Sequence, residues 1–230
     1  MAVALRSVGI SPGSRTSCVI VKPIGLTSGD LMVAQISWGT GVGTPSEISP
    51  PEDWTEIRQD SGNKFRLASF WKIADSDDVS ATNFTFTGGG LGISNIGAIS
   101  AWTGHDSTSP INANNGQYNA SSATITSPTI TPSVASCMIL LLCGVCDNNT
   151  QSGYAIDTSN PASWTEAYDI NTNVGADSAT AMGYAIRPEI SATGDGTATS
   201  SGSDINVGQL IAIAPAAVAA AGRSFGFIFG

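Results

Sequence analysis

Pro51-Glu-Asp-Trp54-Thr55-Glu56 and Pro161-Ala-Ser-Trp164-Thr165-Glu166 are one short phrase met twice in the same chain. Working outward from it, more correspondences appear in the same order. Upstream, the apolar run Leu31-Met-Val-Ala-Gln-Ile-Ser-Trp38 has its counterpart in Met138-Ile-Leu-Leu-Leu-Cys143, each after a turn-like triplet. Downstream, Ala68-Ser-Phe-Trp71-Lys-Ile73 matches Ala181-Met-Gly-Tyr184-Ala-Ile186, and Asn95-Ile-Gly-Ala-Ile-Ser-Ala101 matches Asn206-Val-Gly-Gln-Leu-Ile-Ala212. Matched anchors in one order, at nearly constant spacing, define an internal duplication.

Each copy reads as strands and turns. Met32, Ala34, Ile36 and Trp38 alternate with more polar neighbours, as do Phe84 and Phe86, the period of two that buries one sheet face. The glycine-rich stretches 39–43, 88–90 and 194–196 punctuate these runs where positive φ is often required. No stretch carries a sustained helical period, and Pro23, Pro45, Pro51, Pro110, Pro128 and Pro161 interrupt the candidates. The expectation is an all-β fold: a jelly-roll-like antiparallel β-sandwich built from the duplication, with a short C-terminal arm. Its boundaries are an N-terminal segment 1–16, a sandwich 17–214 (copy one 17–112, copy two 113–214), and a linker with arm 215–230. With about four or five strands per copy, two stacked sheets sharing one core are the economical arrangement, and two lobes the alternative. The run from Met138 to Val145 is apolar almost throughout, which requires burial on both faces, at the centre of the fold or under a neighbouring subunit.

Composition narrows the function. Only 12% of residues are charged, and eighteen acids against nine bases leave a net charge of −9 with a pI near 4.3. Such a chain repels phosphate backbones, so nucleic acid is not an expected partner. The apolar run at Met138 is far shorter than the ~20 residues of a membrane helix, and the N-terminus lacks the basic and apolar regions of a secretory signal. No membrane partner is expected. Cys143 and Cys146 form a C-x-x-C inside a strand-like run with no second pair and no nearby His, so buried inert thiols are expected rather than a metal or redox centre.

The tail, Arg223-Ser-Phe225-Gly-Phe227-Ile228-Phe229-Gly230, is unlike the rest. It places aromatic area after the second copy has closed, and Phe225, Phe227, Ile228 and Phe229 read as a docking arm for a partner or neighbouring subunit; the bland alternative is a last strand of its own sandwich. Trp54, Trp71, Trp164 and Tyr184 read as core anchors, since large aromatics bury the most area per residue.

Ser28-Gly-Asp-Leu-Met-Val33, Pro50-Pro-Glu-Asp-Trp-Thr55, Phe70-Trp-Lys-Ile-Ala74, Ala98-Ile-Ser-Ala-Trp-Thr-Gly104 and Ser109-Pro-Ile111 together resemble a family of bacteriophage and prophage virion structural proteins, minor tail or head-associated. The family pattern is close to G-D-L-apolar, P-P-x-G-W-T, W-K-x-A and a G-V-D-x-S-P-I closing loop. The resemblance covers residues 17–214, more loosely in the second copy, and Asp53 stands where the family commonly has Gly. It implies a non-enzymatic capsid-decoration, head-associated or tail protein that assembles in the host cytoplasm into the virion. Its partners would be other virion proteins and itself, as a homo-oligomer of which a trimer is one form.

Chemistry offers little competition. The single histidine, His105, reads as an exposed loop residue, without the G-x-S-x-G elbow of a hydrolase. Asp75, Asp77 and Asp78 miss the spacing of a calcium loop and read as a solvated turn. No cofactor or metal is expected. The alternative is a carbohydrate-binding or host-recognition module, with Trp38, Trp102 and Tyr118 as platforms for a glycan.

Overall fold

The computed structural model describes residues 1–88, 94–157 and 163–217. In chain order these form β1 (Ala4–Ile10), β2 (Ser17–Val21), β3 (Leu31–Gly39), β4 (Ile48–Ser49), β5 (Thr55–Gly62), β6 (Phe65–Ile73), the helix α1 (Ser76–Ser80), β7 (Asn83–Gly88) and β8 (Ser94–Thr103) in the first copy. The second copy comprises β9 (Ile111–Ser127), β10 (Cys137–Val145), β11 (Gln151–Ile156), β12 (Thr165–Thr172), β13 (Ser178–Arg187) and β14 (Gly196–Ile213). The fold is all-β, with antiparallel sheets packed as sandwiches.

Both copies follow one wiring. The first large sheet has the order β1-β8-β3-β6-β5 and faces a small sheet β2-β7-β4; the second has β11-β14-β10-β13-β12, with β9 also paired to β14. This is a jelly-roll wrapping in which the fifth strand has crossed to the large sheet. The copies superpose in register. Trp71 faces Thr55 as Tyr184 faces Thr165, and Asn95 faces Trp38 as Asn206 faces Val145. Even the irregularity after Glu56 recurs after Glu166. The second copy makes its outer layer differently: β9 and β14 continue where the first copy breaks into β1 plus β2 and β7 plus β8. Register shifts between Thr199 and Asp204 mark the place where β14 departs from regular pairing.

One shared core for the whole molecule does not hold, because the two large sheets are apolar on both faces. Met32, Ala34, Ile36 and Trp38 point outward into a core with Phe84, Phe86 and Trp54. Leu31 and Val33, on the alternate positions, point inward against Met138, Leu140, Leu142 and Ile211 of the other copy. Ile139, Leu141, Cys143 and Val145 then fill a third core beneath Ile125, Ile130 and Ala198. The molecule is therefore two sandwiches stacked back to back, and the middle core welds them. The double-faced burial of the run from Met138 to Val145 is met inside the chain, so it gives no indication of a subunit interface. The N-terminal segment is also not separate: Ala4–Ile10 forms the edge strand beside β8, placed there by residues whose alternation is too weak to read in sequence.

The weld carries polar locks as well. Gln35 Nε2 donates to the Cys143 carbonyl at 2.8 Å while its Oε1 accepts from Tyr168 Oη at 2.6 Å, and Ser37 Oγ donates to the Ala179 carbonyl. From the other side, Gln209 Nε2 reaches Asp60 Oδ2 and the Leu67 carbonyl. These bonds satisfy buried donors of Gln35, Ser37, Tyr168 and Gln209 that burial would otherwise penalise, and they fix how one sheet lies on the other.

Asp53, in the Gly position of the P-P-x-G-W-T pattern, has φ of 65°, the left-handed region where a Cβ is costly. Asp53→Gly is expected to raise stability by up to about 1 kcal/mol, the lost strain outweighing the freer unfolded chain. Asp53→Ala, with a Cβ and no short polar side chain, should lower it. Thermal midpoints of the three proteins check this, and a glycine variant less stable than the parent would refute it.

Candidate functional site

The motifs that stand out in the sequence converge at one end of the sandwiches, the base from which β3 and β10 start. Gly29 N–H donates to the Ala74 carbonyl and Ala74 N–H to the Asp30 carbonyl, both at 2.8 Å, which ties the Gly-Asp-Leu turn to the Trp-Lys-Ile-Ala strand end. Asp30 is 4% exposed. Its carboxylate accepts from Thr27 N–H and Thr27 Oγ1 and pairs with Arg6 at 2.6 Å, so β1 is pinned to the same turn.

The closing loop joins this base. His105 is 7% exposed, one ring nitrogen 3.0 Å from the Gly29 carbonyl and the other 2.9 Å from the Asp106 carbonyl. The expectation of an exposed loop histidine is corrected: the ring spans two backbone acceptors of the base, which a sequence window cannot reveal because Gly29 lies far away in the chain. Asp106 Oδ1 accepts from Thr108 and Ser109 N–H, and these bonds hold its carboxyl below the usual range. Asp106 N–H donates to the Ala214 carbonyl, and Ala216 N–H to the Gly104 carbonyl, while His105 bridges Pro215. The end of the second copy is thus stitched to the end of the first.

The acidic triplet is also structural. Asp75 caps α1 and forms a reciprocal capping box with Asp78, and Lys72 pairs with Asp78 at 2.9 Å and Asp75 at 3.2 Å. The solvated-turn reading is corrected to a capped helical turn, of which Asp78 is buried. Among the described residues no group of His, Cys, Asp and Glu is arranged to hold a metal, and no helix is long and apolar enough to cross a membrane.

Trp54 is 8% exposed, its ring edge-on to Phe84 at 5.6 Å and Phe86 at 5.4 Å. Its repeat partner Trp164 is half-buried against the third core. Trp71 and Tyr184 border the middle core, where Tyr184 meets Trp102 edge-on at 5.3 Å. Each repeated pair therefore occupies corresponding places. The proposed sugar platforms fare differently. Trp38 and Trp102 are at most 1% exposed and present no face to a ligand; alternation alone could not say that both faces of these strands are covered. Tyr118 lies over Gly62, where a Cβ would come within 2.4 Å of its ring. Phe225, Phe227, Ile228 and Phe229 lie outside the described residues.

All four cysteines are free. Burial pushes Cys18 up to about 12 and Cys137 up to about 11, and raises Cys143 as well. Cys146 is pushed up to about 11, first by burial and then by Asp204. The reactive species is the thiolate, so alkylation near neutral pH is expected to be slow and confined to half-buried Cys146 until the fold is opened by denaturant. Mass spectrometry after timed labelling reads this directly; rapid native labelling of Cys143 would contradict the packing.

Clefts open at both ends of the described residues. One of about 220 Å³ lies at the far end of the weld, lined by Thr40, Lys64, Cys146, Asp204 and neighbours. A larger one, about 390 Å³, lies at the base between Met1, Ala2, Ala135, Ser136, Pro215 and Ala216. Comparison with protein-family models, curated proteins and solved structures finds no match to this chain.

Proposed function

We propose that this chain is a non-enzymatic structural component of a bacteriophage virion, a capsid-decoration, head-associated or tail protein. One observation supports the reading: the segments that carry the resemblance, Gly29-Asp30-Leu31, Trp71 to Ala74 and Gly104 to Asp106, meet in one base, where Gly29, Asp30, Ala74 and His105 bond to one another and Asp30 pairs with Arg6. Residues bonded internally in this way suit a rigid structural part. The welded tandem sandwich adds to this, since it gives a stiff body whose halves are held by a continuous core.

Gold-labelled antibody against the chain, applied to particles from a lysate of the producing host, is the test. Label on heads or on tails is the expected result and tells which; protein that remains wholly in the particle-free fraction would overturn the proposal.

A further inference from the structure

The base holds an open cleft beside the place where the end of the second copy is stitched to the first. Met1, Ala2, Ala135, Pro215 and Ala216 give it apolar walls, with Ser136 the polar member. Large apolar side chains at the same end remain in water: Met1 is 90% exposed, and Ile186 near the end of β13 and Ile190 just beyond it, either side of Pro188 whose carbonyl accepts from Ser136 N–H, are 43% and 61% exposed. Apolar surface gathered around a concavity marks a place of association.

The chain carries a matching occupant. Of its seven phenylalanines, Phe65, Phe70, Phe84 and Phe86 are buried in the sandwich cores, and the other three lie outside the described residues. Phe225, Phe227 and Phe229 come shortly after Pro215 and Ala216, which are both the wall of the cleft and the root of the tail. We propose that the apolar cleft at the base seats the Phe-rich segment 223–230 of a second copy of this chain.

A second copy is favoured over the chain's own tail by connectivity. Ala216 is fixed to Gly104 and Pro215 to His105, so a chain's own segment would have to reverse within the short Ala-rich spacer onto the wall it has just left. A segment from another molecule enters without that reversal. Reciprocal insertion sets two roots and two clefts side by side, the self-complementary contact of a closed assembly. Alternate phenylalanines suit such a site, because in an extended segment they project on one side. The inference rests on the assembly reading above and names the surface by which copies associate.

The test measures solution mass by light scattering for the full chain, for a chain ending at Gly222, and for a full-length Ala135→Arg chain. Ala135 is exposed, so the substitution blocks the cleft with little demand on the fold, and matching thermal midpoints verify this. The full chain should show at least twice the monomer mass and both variants the monomer mass. Mixing the two variants should restore association, one supplying the tail and the other the open cleft, and a synthetic 223–230 peptide should bind the truncated chain but not the truncated Ala135→Arg chain. A monomeric full chain, an oligomer that survives truncation, or failure of the mixture to associate would overturn the proposal. The outcomes separate from those of the virion reading: tail exchange without particle labelling sinks that reading alone, and particle labelling by a truncated chain that never associates sinks this one alone.

Discussion

Trp102→Ala is expected to destabilise the protein by about 4 kcal/mol and to do so for both sandwiches at once. Trp102 is fully buried, stands on β8 of the first copy, and lies in the middle core with Met138, Leu140 and Met182 of the second. Its ring meets Tyr184 edge-on, and its Nε1 donates to Ser100 Oγ at 2.8 Å. Removing the indole leaves a large void in the middle core between the two large sheets and strips Tyr184 of its ring partner. Trp102→Phe, which keeps most of the apolar volume, should lose much less. Chemical denaturation read by far-ultraviolet circular dichroism and by fluorescence checks both points. Coincident transitions at lower denaturant are expected, whereas two separated transitions would show that the copies fold independently and that the weld is weak.

Asp30→Ala is expected to cost about 3 kcal/mol through a different route. The carboxylate is 5% exposed on its side chain and serves Arg6 and both donors of Thr27. Its removal leaves the Thr27 amide without its acceptor and releases β1 from the turn before β3, a loss larger than that of an exposed ion pair. Arg6→Ala should cost clearly less, because the Arg6 side chain is 34% exposed and Asp30 keeps the Thr27 donors. Hydrogen exchange should show the Asp30 variant losing protection first in Ala4–Ile10. Equal destabilisation by the two variants would mean that the ion pair, not the turn, carries the effect.

Much of the architecture was legible because the duplication shows itself at positions that packing constrains. Trp54 and Trp164 occupy the outer cores, and Trp71 and Tyr184 border the inner one, so the side chains that recur in sequence are those whose size the cores require. The strand count was less legible: β9 and β14 each run on where the first copy breaks, and nothing in residues 120–124 or 200–204 distinguishes a bend from a loop. The burial of Trp38, Trp102 and His105 was not legible at all. Alternation shows which side chains share a face, but whether that face meets water depends on a second sheet far off in the chain.

Alternating apolar residues, glycine and proline punctuation and the repeated Trp-Thr-Glu phrase were sufficient by themselves to determine an all-β sandwich built twice, because strand period and turn chemistry are local properties. Tertiary structure alone decided that the two copies are separate sandwiches joined by a third core, that His105 and the aspartates brace the base, and that the tail's root walls an open apolar cleft. Those outcomes depend on contacts between residues distant in sequence, which form only when sheets stack and which leave no periodic trace in the chain that makes them.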